Sequence, residues 1–259
     1  MEAPVIAASI AAIAAVMSAT FAARTQLRVA RLNAKLLRDS AKEERIIDHE
    51  RAVARYREPL GHAAYDLQSR LFNILKQGLI DKYVNRGDER SRFYVINNTI
   101  FLIAQYFAWT EIIRKEIQFI DLGENESSRR LARLRDNIFN LWQTDSFHPL
   151  MRVFAGEQRA IGEHMIAEGV RGPECMGYAK FLENAASIED TLINALKSDV
   201  HQLSTSLPAA RPRLIALQHA LIDLLLFLDP EYIRFPIDRR TKVEQMQGQA
   251  ERTSSSDRY

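Results

Sequence analysis

Three histidines are followed four residues later by a carboxylate: His62 by Asp66, His164 by Glu168 and His219 by Asp223. On a helix, residues at that spacing share a face, so each carboxylate can orient its imidazole. Chance placement of 6 His among 33 acidic residues in 259 gives about one such pair, so three is a mild excess. If His62, His164 and His219 came together inside a bundle, they would form a metal site, with the carboxylates as ligands or orienting partners. The Glu-x-x-His spacing of di-iron bundles does not occur, because no Glu precedes a His by three. The favoured expectation is that hydrogen bonds hold these rings in place, with no metal and no cofactor.

A second pattern is Arg, four to six residues, then His. It is the signature of RNA-cleaving helical domains of the HEPN kind, where His acts on a 2′-hydroxyl and Arg stabilises phosphate charge. Arg55/His62, Arg57/His62, Arg159/His164 and Arg213/His219 all fit it. Chance gives about two such matches at this composition. Arg159, His164, Arg213 and His219 are therefore catalytic candidates only in an alternative reading, and no catalytic residue is the first expectation.

Other chemistries find no residues to carry them. The chain has no GxGxxG, no GxxxxGK[ST] and no GxSxG, so neither a phosphate cradle nor a nucleophile elbow is visible. The single Cys, Cys175, excludes an internal disulfide framework and Cys-rich metal modules. It is expected to be an inert thiol. A formal charge of +2, from 35 basic and 33 acidic residues, leaves no nucleic-acid footprint. Arg129, Arg130, Arg133 and Arg135 spread around one predicted helix and read as a solvated face. The sharper alternative is contact with anionic lipid or an acidic partner.

The elements that would position these residues begin with residues 3–23, APVIAASIAAIAAVMSATFAA, which are 21 long and uncharged. A bilayer core about 30 Å thick needs about 20 helical residues. The strongly apolar residues are Val5, Ile6, Ile10, Ile13, Val16, Met17 and Phe21. Together they contribute about −2 to −4 kcal/mol on an insertion scale, which Ser9, Ser18 and Thr20 partly offset. A signal peptide would need a basic start, and only Glu2 is charged there. The expectation is a single transmembrane anchor with the lipid bilayer as its partner. Arg24, Arg28, Arg31, Lys35 and Arg38 follow it, against one acid, Asp39. That asymmetry places the N-terminus outside and the body in the cytoplasm of an inner membrane.

Residues 24–57 contain no Gly and no Pro and read as a helical stalk. Leu27, Ala30, Ala34, Leu37 and Ala41 fall at coiled-coil spacing before Glu44 and Asp48 end the seam. A short homo-oligomeric coiled coil is one expectation, aided by the small residues Ala7, Ala11, Ala15, Ala19 and Ala23 of the anchor. A solvated spacer is the other. Pro59 is expected to end or kink the rod.

Residues 58–233 are expected to form an all-α body of about six helices, since no alternating strand pattern with turn punctuation occurs. Leu60, Ala64, Leu67, Leu71, Ile74, Leu75 and Tyr83 form one apolar face. Residues 93–109 are nearly continuous apolar and aromatic, but Asn97, Asn98 and Gln105 make a buried core helix the better reading than a second span. Further helices are expected over about 129–144, 149–168, 178–206 and 213–228. Residues 234–259 read as a disordered polar tail.

Four segments resemble an uncharacterised family of bacterial proteins: RYREPLGHAAYDLQSRLFNIL, INNTIFLIAQYFAWTEIIRKEIQFIDLG, GEQRAIGEHMI and RLIALQHALIDLLLFLDP. The resemblance spans nearly the whole chain. It implies an N-terminal anchor, a charged helical stalk and an all-α cytoplasmic body, and no activity. The functional expectation is a membrane-anchored cytoplasmic scaffold or regulator acting on a protein partner. A ribonuclease or metal-binding bundle enzyme is the alternative.

Overall fold

The computed structural model describes residues 3–117, 126–170, 172–187 and 191–244. Side chains of 3–16, 45–46, 48–54, 185–187 and 191 lie outside that description. So do residues 118–125 and residues 245–259 of the expected tail. The chain is all-α in class. Six α-helices occur among the described residues: α1 (Ala3–Lys76), α2 (Glu89–Ile117), α3 (Glu126–Gln143), α4 (Ala155–His164), α5 (Tyr178–Ser187) and α6 (Thr191–Leu228). Two compact units are present, residues 1–51 and residues 52–259.

In the first unit the backbone is helical from Ala3, and every described side chain from Met17 to Glu44 is exposed. Among the described residues no helix is long and apolar enough to cross a membrane. The transmembrane expectation for residues 3–23 therefore gains no support there, and the side chains of 3–16, most of that segment, are outside those described.

The second unit is built on the C-terminal part of α1. Leu60, Ala64, Leu67, Leu71, Ile74 and Leu75 are all buried, as their spacing predicts. Pro59 does not end the helix. Tyr56 and Leu60 on either side of it are buried in the core, 3% and 1% exposed, and that packing holds the helix across the missing backbone donor. Tyr83 is exposed although the periodicity puts it inward. Gly78 at φ +66° and a π-helical turn, Asp81–Asn85, reset the register, and Val84 is buried instead. Helix α2 starts after Asp88, whose Oδ1 accepts the Ser91 N–H at 2.8 Å and so caps the helix. Its centre, including Ile100, Ile103, Phe107 and Ile112, is the heart of the core. Gly162 of α4 lies where a Cβ would come within 2.7 Å of the Phe107 carbonyl oxygen, so α4 and α2 approach as closely as backbones allow.

Three expectations are corrected. The helix expected over 149–168 is shorter, Ala155–His164, and is followed by an antiparallel hairpin of β1 (Ile166–Gly169) and β2 (Gly172–Cys175). Each strand is only four residues long, too short for alternation to register in the sequence. Helix α6 is one element with non-helical dihedrals at Ser206, φ −126° and ψ 23°, so the last helix restarts before Pro208 and not at Arg213. The tail expected from 234 onward packs down as far as 244. Phe235, Arg240 and Val243 are buried.

That C-terminal strap is held by α6 and α1. Asp229 accepts N–H bonds from Ile233 at 3.0 Å, Arg234 at 3.2 Å and Phe235 at 3.0 Å, and pairs with the Arg240 guanidinium. Burial pushes the Asp229 carboxyl upward, but those donors outweigh it and hold the group below the usual carboxylate range. Gln218 clasps the strap with Nε2 on Thr241 O at 2.9 Å and Oε1 on Val243 N at 3.1 Å, while Gln68 Nε2 donates to Arg239 O at 3.0 Å.

Candidate functional site

Arginines of this body close the carbonyl ends of helices to which they do not belong. The last carbonyls of a helix have no intrahelical donor and sit at its negative end. Arg57 Nε donates to Leu228 O at the end of α6, 2.6 Å, and Arg211 Nη1 donates to Leu75 O at the end of α1, 3.1 Å. Arg213, fully buried, does this most completely. Its Nη1 donates to Leu141 O and Trp142 O at 2.6 and 2.8 Å, and its Nη2 to Thr144 O and His148 O at 2.9 and 3.3 Å. Burial lowers its pKa, Arg152 adds to that, and Asp145 and Asp199 act against it.

The histidines sit in separate settings. His62 is exposed on α1, edge-on to the Phe235 ring at 5.0 Å, with Nε2 3.9 Å from Glu58 rather than bonded to Asp66. His164 is the last residue of α4, and Glu168 belongs to β1, so that pair shares no helical face. His219 Nε2 lies 2.7 Å from Val243 O. A carbonyl only accepts, so Nε2 carries the proton. Asp223, one turn on, pairs with Lys242 at 2.7 Å. His219 and Asp223 thus serve as two clasps on the strap. Among the described residues no three His, Cys, Asp or Glu side chains gather in a way that could hold a metal ion.

The Arg/His pairs likewise keep different company. The Arg213 guanidinium is engaged at the end of α3, His219 at the strap, and Arg159 lies over the Phe139 ring, 5.8 Å from its centroid. The basic cluster on α3 is also divided. Arg130 sits over Phe227 at 5.4 Å, Arg133 pairs with Glu126 at 2.9 Å, Arg129 is exposed, and Arg135 turns into the body.

Arg135 and Arg159 do meet around one cleft of about 140 Å³ between α2, α3 and α4, lined also by Tyr106, Phe107, Thr110, Glu111 and Arg114. Glu111 is buried, 3% exposed. Arg114 forks onto it with Nε–Oε2 at 2.7 Å and Nη2–Oε1 at 2.6 Å. Lys115 bridges from Glu111 at 3.7 Å to Glu163 on α4 at 2.9 Å. That bridge and the Gly162 contact fix α4 against α2 and so set the width of the cleft. Arg135 and Arg159 stand out in the sequence by their charge and spacing, whereas Tyr106, Thr110 and Glu111 read there as ordinary positions on a core helix.

The class these features define is an all-α body with arginine-closed helix ends, a short hairpin and a C-terminal strap. No family model, no curated protein and no solved structure matches the chain, so the segment resemblance brings it no activity.

Proposed function

We propose that this chain is a tethered interaction module, a scaffold or regulator without catalytic chemistry of its own. The observation that carries the reading is the uncovered apolar surface of the first unit. Phe21 is 74% and Leu37 72% exposed, and Leu27, Leu32 and Leu36 are exposed along the same helix. Apolar surface of that kind marks a site for a partner or for lipid. The uncharged residues 3–23 supply the tether to a membrane, N-terminus outside and body in the cytoplasm, and the basic residues from Arg24 to Arg38 favour that orientation.

The seam of Leu27, Ala30, Ala34, Leu37 and Ala41 fits a second helix. Arg24, Arg31 and Arg38 flank it on one side, and Gln26, Asn33 and Ser40 on the other. A parallel copy of the chain sets each Arg against a neutral partner, whereas an antiparallel copy sets Arg against Arg. The favoured oligomer is therefore a parallel pair. Fractionation of full-length protein tests the tether: it should pellet with membranes, resist alkaline extraction and be released by detergent. Recovery of intact protein in the soluble fraction overturns the reading.

A further inference from the structure

We infer that the cleft between α2, α3 and α4 is a binding site for a small organic monocarboxylate, held by Arg135 and Arg159. This goes beyond the tethering reading and does not depend on it. Arg213 and Arg240 are buried more deeply, and although the Nε of each also has no partner among the described residues, their terminal nitrogens make four hydrogen bonds apiece, in Arg240 one of them to a carboxylate. Arg135 instead makes one long hydrogen bond, Nη2 to Thr110 O at 3.3 Å, and its buried Nε has no partner among the described residues. Burial lowers its pKa, partly offset by Tyr106, Asp136 and Glu111. A guanidinium removed from water without a carboxylate is unfavourable until an anion completes it.

The cleft offers that anion a place. Its lining holds three guanidiniums, Arg114, Arg135 and Arg159, against two carboxylates, Glu111 and Asp136. Arg114 and Glu111 are spent on each other. Arg159 makes no ion pair among the described residues and is presented over Phe139. One positive charge is left over, which suits a monoanion better than a phosphate dianion. Tyr106 is 2% exposed, and its hydroxyl has no partner among the described residues. Phe107 and Phe139 supply aromatic wall, beside the polar Thr110 and Gln158. A volume of about 140 Å³ compares with the roughly 150 Å³ cavity that accepts benzene, so the ligand is a carboxylate carrying a small apolar group.

The test uses the full-length protein in a non-ionic detergent, with sodium benzoate, acetate and inorganic phosphate as probes at constant ionic strength. Benzoate should raise the thermal unfolding midpoint saturably, and acetate should do so more weakly because it leaves the aromatic walls uncovered. Phosphate should follow the ionic-strength control. Removing one charge-assisted bond weakens binding by about tenfold or more, so Arg159→Gln should shift the benzoate response by that factor. Arg159 is exposed, so its variant should keep the unliganded midpoint. Arg135→Gln should abolish the response. If that variant fails to fold, isothermal titration of the Arg159→Gln protein decides alone. The inference is overturned if no carboxylate gives a saturable response, if phosphate matches benzoate, or if Arg159→Gln binds benzoate as the parent does.

Discussion

Replacing Arg213 by Met separates a structural arginine from a catalytic one. Met keeps an unbranched apolar stem while deleting every donor and the guanidinium that lies over the Phe147 ring. The deletion removes four hydrogen bonds to carbonyl oxygens, three of them at or just beyond the end of α3. Hydrogen bonds from a charged donor contribute about 1.5–3 kcal/mol each, but they are not additive. One acceptor, Trp142 O, keeps a second donor, Val153 N–H at 3.0 Å. Against the loss stands relief from burying a guanidinium, the penalty that lowers its pKa. The net expectation is destabilisation by about 3–4 kcal/mol, in the range for breaking a buried charged network. Arg213→Lys keeps the charge but cannot fork over four acceptors, and should fall between, at about 2 kcal/mol. Urea unfolding followed by circular dichroism at 222 nm measures both. An Arg213→Met protein within about 1 kcal/mol of the parent would refute the reasoning, since Arg213 would then not hold the α3 end.

Two further outcomes follow from groups held away from their ordinary protonation. Asp229 has a depressed pKa in the folded chain, so its stabilisation is present above the ordinary carboxylate range and is lost as pH falls through the folded value. Asp229→Asn should therefore flatten the acid limb of a stability–pH curve, and an unchanged limb contradicts the assignment. Burial pushes the Cys175 thiol up to about 12, so iodoacetamide at pH 8 should label native protein far more slowly than protein in urea. Equal rates would mean that β2 opens freely.

How much of the fold was legible depended on how local its causes are. The inward face of α1 followed from spacing alone: Leu60, Leu67, Leu71 and Ile74 are buried as the 3.6-residue period requires. The core character of α2 was equally local. Tyr83 departed because a left-handed Gly78 and a π-turn shift the register, and nothing in the apolar pattern announces either. The hairpin was hidden by strands too short to show a period.

The site was less legible. Arg/His and His/carboxylate spacings drew attention to Arg159, Arg213 and His219, but spacing along a chain does not say which atoms meet. Two of the three are engaged by backbone carbonyls distant in sequence, Arg213 with residues 65–72 positions away and His219 with Val243.

From its residues alone the chain determined its helical class, its apolar faces and the uncharged start with a basic flank, because each is set by neighbours within a turn or two. Only the tertiary structure decided that residues 234–244 pack down, that Arg213 closes α3, and that Arg135 and Arg159 share a cleft. Those outcomes turn on polar groups finding partners across tens of residues. A charged side chain reads identically in sequence whether it faces water, caps another helix or waits for an anion.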